Sequence, residues 1–208
     1  MAKRLFDLIC ASAGVLVLSP MLLVIALWIR LDSRGPVFFR QQRVGRFGVP
    51  FRIHKFRTMQ DDATAGAPAL GPQLTVGADP RITRAGRFLR RTKLDELPQL
   101  LDVLAGTMSL VGPRPEVPRY VAMYPAALRE KVLSVRPGIT DLASIAFRDE
   151  GALLAAAVDP EREYTEVVLP TKLRLAADYV DRASLAYDML LIALTLKALV
   201  TEDRKSVV

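Results

Sequence analysis

A proline interrupts the one long apolar run of this chain, and it decides what that run can become. Residues 5–31 (LFDLICASAGVLVLSPMLLVIALWIRL) carry Pro20 near the middle, with Ser19 before it. As one straight helix the run would be roughly 40 Å long at about 1.5 Å per residue, enough for a hydrocarbon core of about 30 Å. Proline lacks an N–H and crowds the preceding turn, so it kinks or breaks a helix. Ser19 can bond back to the helix and satisfy a freed carbonyl. Lys3 and Arg4 precede the run, and Arg30, Arg34, Arg40, Arg43 and Arg46 follow. Basic residues near both ends favour keeping both ends on the cytoplasmic side. These features predict a helix–break–helix hairpin over residues 1–36 that enters one leaflet and returns. Each half would be roughly 20 Å long, too short to cross. A single spanning helix with a tolerated proline is the competing reading. The length of the run and the lack of a small-residue cleavage site argue against a signal peptide. Asp7 fits an interfacial position better than a bilayer-centre one.

The 208 residues leave room for one further domain, residues 37–208. A net charge of +7 with 51% apolar residues points to an anionic membrane surface, or to anionic substrates held beside one. Nucleic acid is disfavoured, because the few aromatics do not interleave with the basic residues. Cys10 is the single cysteine, so no disulfide framework or zinc spacing exists.

Beyond the apolar run, residues 37–39 and 51–56 read as short strands around a turn at 45–50. Residues 60–80 read as a long surface loop. A basic helix follows at 81–93, then a helix at 97–104 that Gly106 ends. Helix is expected over 118–132, a turn at Arg136-Pro137-Gly138, and two helices near 161–180 and 184–200. The last is apolar but interrupted by Asp188 and Lys197, and suits a membrane-surface helix or a core helix. The class is α/β, helix-rich with a small sheet.

The chemistry concentrates in KLDELPQLLDVL. Pro98 suits a first helical turn, which puts Asp95 and Glu96 at a helix mouth, near unpaired N–H groups and the positive dipole end. Two carboxylates beside phosphate form a usual Mg²⁺ site. Taken alone the pair also reads as an N-cap with an acidic first turn. Its neighbourhood changes the balance. Arg81, Arg84, Arg87, Arg90, Arg91 and Lys93 precede it with no acid between them, and their spacing sets most of them on one helical face. Arg114 lies between two prolines, a rigid mount for bidentate phosphate binding. Lys55 and Arg57 add cations at a strand end. His54, the only histidine, reads as structural rather than as a general base. No Walker-type loop or GxGxxG is present, and Gly112 and Gly138 read as turn residues.

The stretches SP within the apolar run, QQRVG, KFRTM, DPRITRAGRFLRRTKLDELPQL, MSLVGPRPE and RPGIT occur in order from about Lys3 to Thr140. Together they resemble the bacterial sugar transferases, the monotopic polyprenyl-phosphate phosphoglycosyl transferases. The resemblance implies transfer of a sugar 1-phosphate from a UDP-sugar to polyprenyl (undecaprenyl) phosphate, releasing UMP. It implies Mg²⁺, and a ping-pong path through an aspartyl-phosphosugar on Asp95 with Glu96 beside it. Lys55, Arg57, Arg87, Arg90, Arg114, Arg136 and Arg148 become the phosphate- and substrate-binding residues, and Ser19-Pro20 the break of a re-entrant helix. The implied location is the cytoplasmic face of a bacterial inner membrane. Downstream glycosyltransferases and a homodimer are the further partners it allows. Asp141 and Ser144 replace a glycine and a glutamine common in the family, which makes them candidates for donor contacts. A catalytically inactive scaffold in a glycan assembly complex is the alternative.

Overall fold

The computed structural model describes residues 1–60 and 79–200, so most of the loop expected at 60–80 lies outside the described residues. The chain opens with α1 (Ala2–Asp32), then β1 (Phe38–Val44) and β2 (Pro50–Phe56). Next come α2 (Arg84–Thr92), a 3₁₀ turn at Leu94–Glu96, α3 (Gln99–Ala105) and β3 (Ser109–Val111). There follow α4 (Pro118–Val121), α5 (Ala126–Leu133), β4 (Gly138–Thr140), α6 (Leu142–Ala146), α7 (Glu150–Ala156) and α8 (Pro160–Glu163). A π turn at Tyr164–Val168 leads into α9 (Leu169–Arg182), and α10 (Leu185–Val200) ends the described chain. The fold is helix-rich, as the sequence predicts, with two small sheets where one was expected.

At the predicted break, Ser19-Pro20, helical backbone continues: α1 runs from Ala2 to Asp32 with Pro20 inside it. The reason is local. Proline at position 20 cannot donate to the carbonyl four residues back, that of Leu16. The Ser19 hydroxyl donates to that carbonyl at 2.8 Å, so the ladder is bridged rather than interrupted. By length and composition α1 could cross a membrane. One of its faces, however, is buried against the rest of the protein toward each end. Ala11 packs with Ile53, Val103 and Met108, while Ile25 and Ile29 pack with Phe56 and Leu89. The other face leaves Leu5, Ile9, Leu16, Val17, Leu23, Val24 and Leu27 exposed.

Polar groups fasten both ends of α1. Lys3 pairs with buried Asp188 of α10 at 2.5 Å and donates to the Val111 carbonyl. Arg4 donates to the Val103 and Leu104 carbonyls at the end of α3. Asp7, expected at an interface, is instead buried and accepts from Ser109 Oγ and the Leu110 N–H. At the far end Asp32 accepts from the Ala85 N–H. Arg57 donates to the Ser33, Arg34 and Ile29 carbonyls, closing the end of the helix.

The two strands expected around residues 45–50 form an antiparallel hairpin in which Phe38 pairs with Phe56 and Val44 with Pro50. A second, parallel pair was not anticipated: Ser109 lies opposite Gly138 and Val111 opposite Thr140. Gly112 and Gly138 are close-approach positions rather than turn glycines. A Cβ on Gly138 would stand 2.0 Å from the Gly112 nitrogen. The helix expected over 118–132 is split into α4 and α5, with Pro125 as the N-cap of the second. The last helix is neither purely core nor purely surface. Leu191 and Asp188 are buried, whereas Met189, Leu190, Leu194 and Leu196 are exposed.

Candidate active site

Asp95 and Glu96 lie in the 3₁₀ turn between α2 and α3. Lys93 makes the turn possible by taking a left-handed conformation, φ 58°, which ends α2 and redirects the chain. For a non-glycine residue that geometry costs about 1 kcal/mol or more. Helical backbone then runs on through Leu97 and Pro98 into α3. Asp95, Gln99 and Asp102 are spaced to share one face. That face meets β2: Asp95 contacts Lys55, and Asp102 holds His54.

The carboxylates and cations interlock. Lys55 Nζ lies 3.0 Å from Asp95 Oδ2 and 3.1 Å from Glu96 Oε1. Arg114 grips Glu96 with both arms, Nη2 to Oε1 at 2.6 Å and Nη1 to Oε2 at 3.1 Å. Burial by itself would raise the Glu96 carboxyl, but Arg114 first and Lys55 next outweigh it and hold the group well below the usual carboxylate range. The Arg114 guanidinium is correspondingly raised by Glu96. Arg43 stands close enough to feel both, and burial lowers its pKa.

Asp95 differs from its neighbour in one decisive way. Its Oδ1 is buried and has no hydrogen-bond partner. A buried carboxylate oxygen without a donor costs roughly 1–3 kcal/mol or more, so it marks a place where something else binds or reacts. Gln99 Nε2, one helical turn on, is likewise buried and unpaired.

Arg114 owes its position to the parallel strand pair. Gly112 N–H donates to the Thr140 carbonyl and Gly138 N–H to the Pro113 carbonyl. The Arg114 N–H donates to Asp141 Oδ2, while Asp141 Oδ1 accepts from Ser144 N–H and caps α6. Asp141 therefore fixes the arginine backbone, a role more specific than the donor contact expected of it. Ser144 Oγ is buried and unpaired.

The other predicted site residues separate into groups. Lys55 and Arg114 are brought onto the carboxylate pair. Arg57 is not: its guanidinium is buried and committed to the end of α1, which corrects its grouping with the phosphate-binding residues. Arg90 is half-buried on α2 and close enough to act on Asp79, which Arg81 binds more directly. Arg87 is exposed and donates to the Ile82 carbonyl. Arg136 donates to the Gly106 carbonyl, and Arg148 to that of Ala198. These last contacts join secondary-structure elements and do not reach the carboxylates. His54 is held by Asp102: Nδ1 sits 2.7 Å from Asp102 Oδ1 and its backbone N–H donates to Oδ2. Asp102 and Gln99 are buried polar residues given no role from the sequence. Both had a legible signal, a spacing of seven and four residues from Asp95.

No group of three or more metal-ligating side chains occurs among the described residues. The donor set still suits Mg²⁺, which takes one or two carboxylates and completes its shell with phosphate and water. The free Asp95 Oδ1 beside Glu96 meets that description.

Comparison with known proteins converges on one family. The sequence profile of the bacterial sugar transferases matches residues 1–202. A UDP-glucose:undecaprenyl-phosphate glucose-1-phosphate transferase of Caulobacter vibrioides is 39% identical over 207 residues, 97% of this chain and 70% of that protein. An undecaprenyl-phosphate glucose phosphotransferase of Komagataeibacter xylinus is 47% identical over 148 residues, 69% of this chain. The match spans only 27% of that longer relative. An exopolysaccharide production protein of Rhizobium leguminosarum is 44% identical over 151 residues, 69% of this chain and 72% of the relative.

Proposed function

Because this chain belongs to the bacterial sugar transferases, and is therefore a transferase, we propose that it moves a sugar 1-phosphate from a UDP-sugar to undecaprenyl phosphate. The product is an undecaprenyl-diphosphate sugar, a first lipid-linked step toward an exopolysaccharide or related glycan. UDP-glucose is the donor in the name of the Caulobacter relative, and glucose the sugar in that of the Komagataeibacter one, which favours UDP-glucose here.

One observation carries the chemistry: a buried carboxylate with one oxygen held by Lys55 and the other free. Asp95 Oδ1 attacks the sugar-bearing phosphorus of the donor. The new O–P bond forms as the bond from that phosphorus to the UMP oxygen breaks, and UMP leaves. A phosphate oxygen of the acceptor then attacks the same phosphorus, and the O–P bond to Asp95 breaks. The lipid carries away the sugar phosphate, and the carboxylate is regenerated.

Arg114 and Lys55 supply positive charge where the transferring phosphoryl oxygens carry negative charge. Glu96 is the counter-ion that keeps both cations aimed inward. Arg90 and Arg87, on α2 upstream, suit the rest of the donor diphosphate. Mg²⁺ would be held by Asp95 or Glu96 and, when bound, would neutralise charge on the diphosphate.

Placement at a membrane is part of the proposal. The exposed face of α1 is apolar and its buried face rests on the protein, with both ends fastened there. This supports a helix seated in one leaflet, with the catalytic domain on the cytoplasmic face, over a helix that crosses.

The test is UMP release by purified protein in the presence of Mg²⁺, undecaprenyl phosphate and a panel of UDP-sugars. Release with UDP-glucose that depends on the lipid and is lost in Asp95→Asn is the expected result. An Asp95→Asn protein that turns over normally defeats the mechanism. Donor binding without turnover in the unaltered protein favours the scaffold reading.

A further inference from the structure

The segment that carries Arg114 is short of donors. Pro113 and Pro115 have no N–H and hold φ at about −65°, and the one N–H between them, that of Arg114, is spent on Asp141. The carbonyls of the segment must therefore be met from outside. Gly138 N–H donates to that of Pro113 at 3.0 Å. Arg43, near the end of β1, meets that of Pro115: its Nη1 donates there at 3.0 Å and lies 3.6 Å from Glu116 Oε2. Val44 N–H donates to the Glu116 carbonyl at 2.9 Å, so both residues that follow Arg114 are tied to the same strand. The other arm of the Arg43 fork, Nη2, donates to Gln41 Oε1 at 2.7 Å. The Glu116 carboxylate is braced in turn by the Tyr164 hydroxyl, which donates to Oε1 at 2.7 Å from the π turn before α9. Arg43 Nε is buried without a partner, a cost that an apolar side chain at this place would avoid. None of the Arg43 contacts is with Asp95 or Glu96.

We infer that Arg43 is a positioning residue for Arg114. A stiff segment fixed at one end pivots, whereas one fixed at both ends holds the root of its central side chain in place. The upstream clamp is the strand pair with Asp141, and the downstream clamp is Arg43. The charge on Arg43 makes its hydrogen bond to the Pro115 carbonyl one of the stronger kind. Its planar fork lets one arm take that carbonyl while the other takes Gln41. Arg114 then meets the entering phosphate already ordered. The inference rests on the proposed reaction for the identity of that phosphate.

The test is a double-mutant cycle in the full chain in nanodiscs, with Mg²⁺ present, read by affinity for UDP and by UMP release. Arg43→Met should weaken UDP binding about fivefold or more and lower kcat about tenfold or more. In an Arg114→Gln background the same change should cost almost nothing further in either reading. Equal losses in both backgrounds overturn the assignment, because a merely structural role does not depend on the Arg114 guanidinium. Arg43→Lys keeps the charge without the fork and should recover only part of the loss. Full recovery would make the effect one of charge, and overturns the assignment also. Tyr164→Phe takes the brace from Glu116 and should show the same dependence on Arg114 at smaller size. It serves should Arg43→Met fail to fold, and additive losses there count against the assignment in the same way. Coupling in UDP affinity without any UMP release refutes the proposed reaction and leaves the positioning role standing. Additive losses in a protein that turns over refute the positioning role alone, and no UDP affinity in the unaltered protein overturns both.

Discussion

Arg114 holds both carboxylate oxygens of Glu96, so the second acid of the pair is committed to positioning a cation while Asp95 keeps an oxygen free. Adjacent and chemically alike in sequence, the two acids differ in what surrounds them.

That relationship gives the first prediction. Burial raises the Glu96 carboxyl, and Arg114 is the largest influence lowering it. Its stabilising contribution is therefore present above the unfolded glutamate pKa, about 4.3, and is lost only as pH falls toward the depressed folded value. In Arg114→Gln the lowering is mostly removed and the Glu96 pKa moves up. Turnover should fall about 100-fold or more, and the pH–rate profile should gain an acid limb absent from the unaltered protein. A profile of unchanged shape would show that Arg114 does not set the Glu96 charge.

Ser19 and Pro20 should be strongly coupled. Ser19→Ala leaves the Leu16 carbonyl without its donor and should cost about 1 kcal/mol in detergent unfolding. In a Pro20→Ala background the new N–H serves the same carbonyl, so the same change should cost almost nothing. Equal costs in both backgrounds would mean that the hydroxyl does not bridge the proline gap. Pro20→Ala should also relax the constraint on the path of α1, read from which side of the membrane an N-terminal tag occupies.

Arg57 should behave as a structural residue. Arg57→Ala uncaps the last turn of α1 and removes charged donors from buried carbonyls, a loss of about 2–3 kcal/mol. Thermal denaturation should register it, while KM for the UDP-sugar should stay within about twofold. Lys55→Ala should differ in the readout that matters, crippling turnover, besides the stability it costs by leaving Asp95 Oδ2 without its partner. A large KM effect from Arg57→Ala would return Arg57 to the substrate site.

Gln99 gives a prediction of opposite signs. Its amide nitrogen is buried without a partner, so Gln99→Leu should stabilise the fold by about 1 kcal/mol. If the amide serves a phosphoryl oxygen beside Asp95, turnover should drop about tenfold in the same variant. A stabilised variant with full turnover would make Gln99 a packing residue.

The Lys3–Asp188 pair should report on docking of the chain start. Asp188→Leu should cost about 2 kcal/mol, the low end for such a pair because Lys3 stays partly exposed. Lys3→Met should cost distinctly less in that background than alone. Additive losses would show that the two do not act together.

The carboxylate pair was legible because its signal is local: two acids, a proline and a run of arginines between Arg81 and Pro98. The hairpin around residues 45–50 was legible for the same reason. The buried acids were not, because their partners are remote. Asp7 finds Ser109, 102 positions away, and Lys3 finds Asp188 across 185. Arg57 was misgrouped because a charge in sequence does not say whether it will face a phosphate or a carbonyl. The pair β3 and β4 escaped notice because three residues each are too few to show a period.

The 185-residue gap between Lys3 and Asp188 has a bearing on biogenesis. A ribosome adding about 5–20 residues per second needs roughly 10–40 s to pass from one to the other. Through that interval the apolar partners of α1 on β2, α2 and α3 are made, but the Asp188 anchor of Lys3 is not. The order of synthesis therefore lets α1 settle on its apolar neighbours first and leaves α10 to close the structure last.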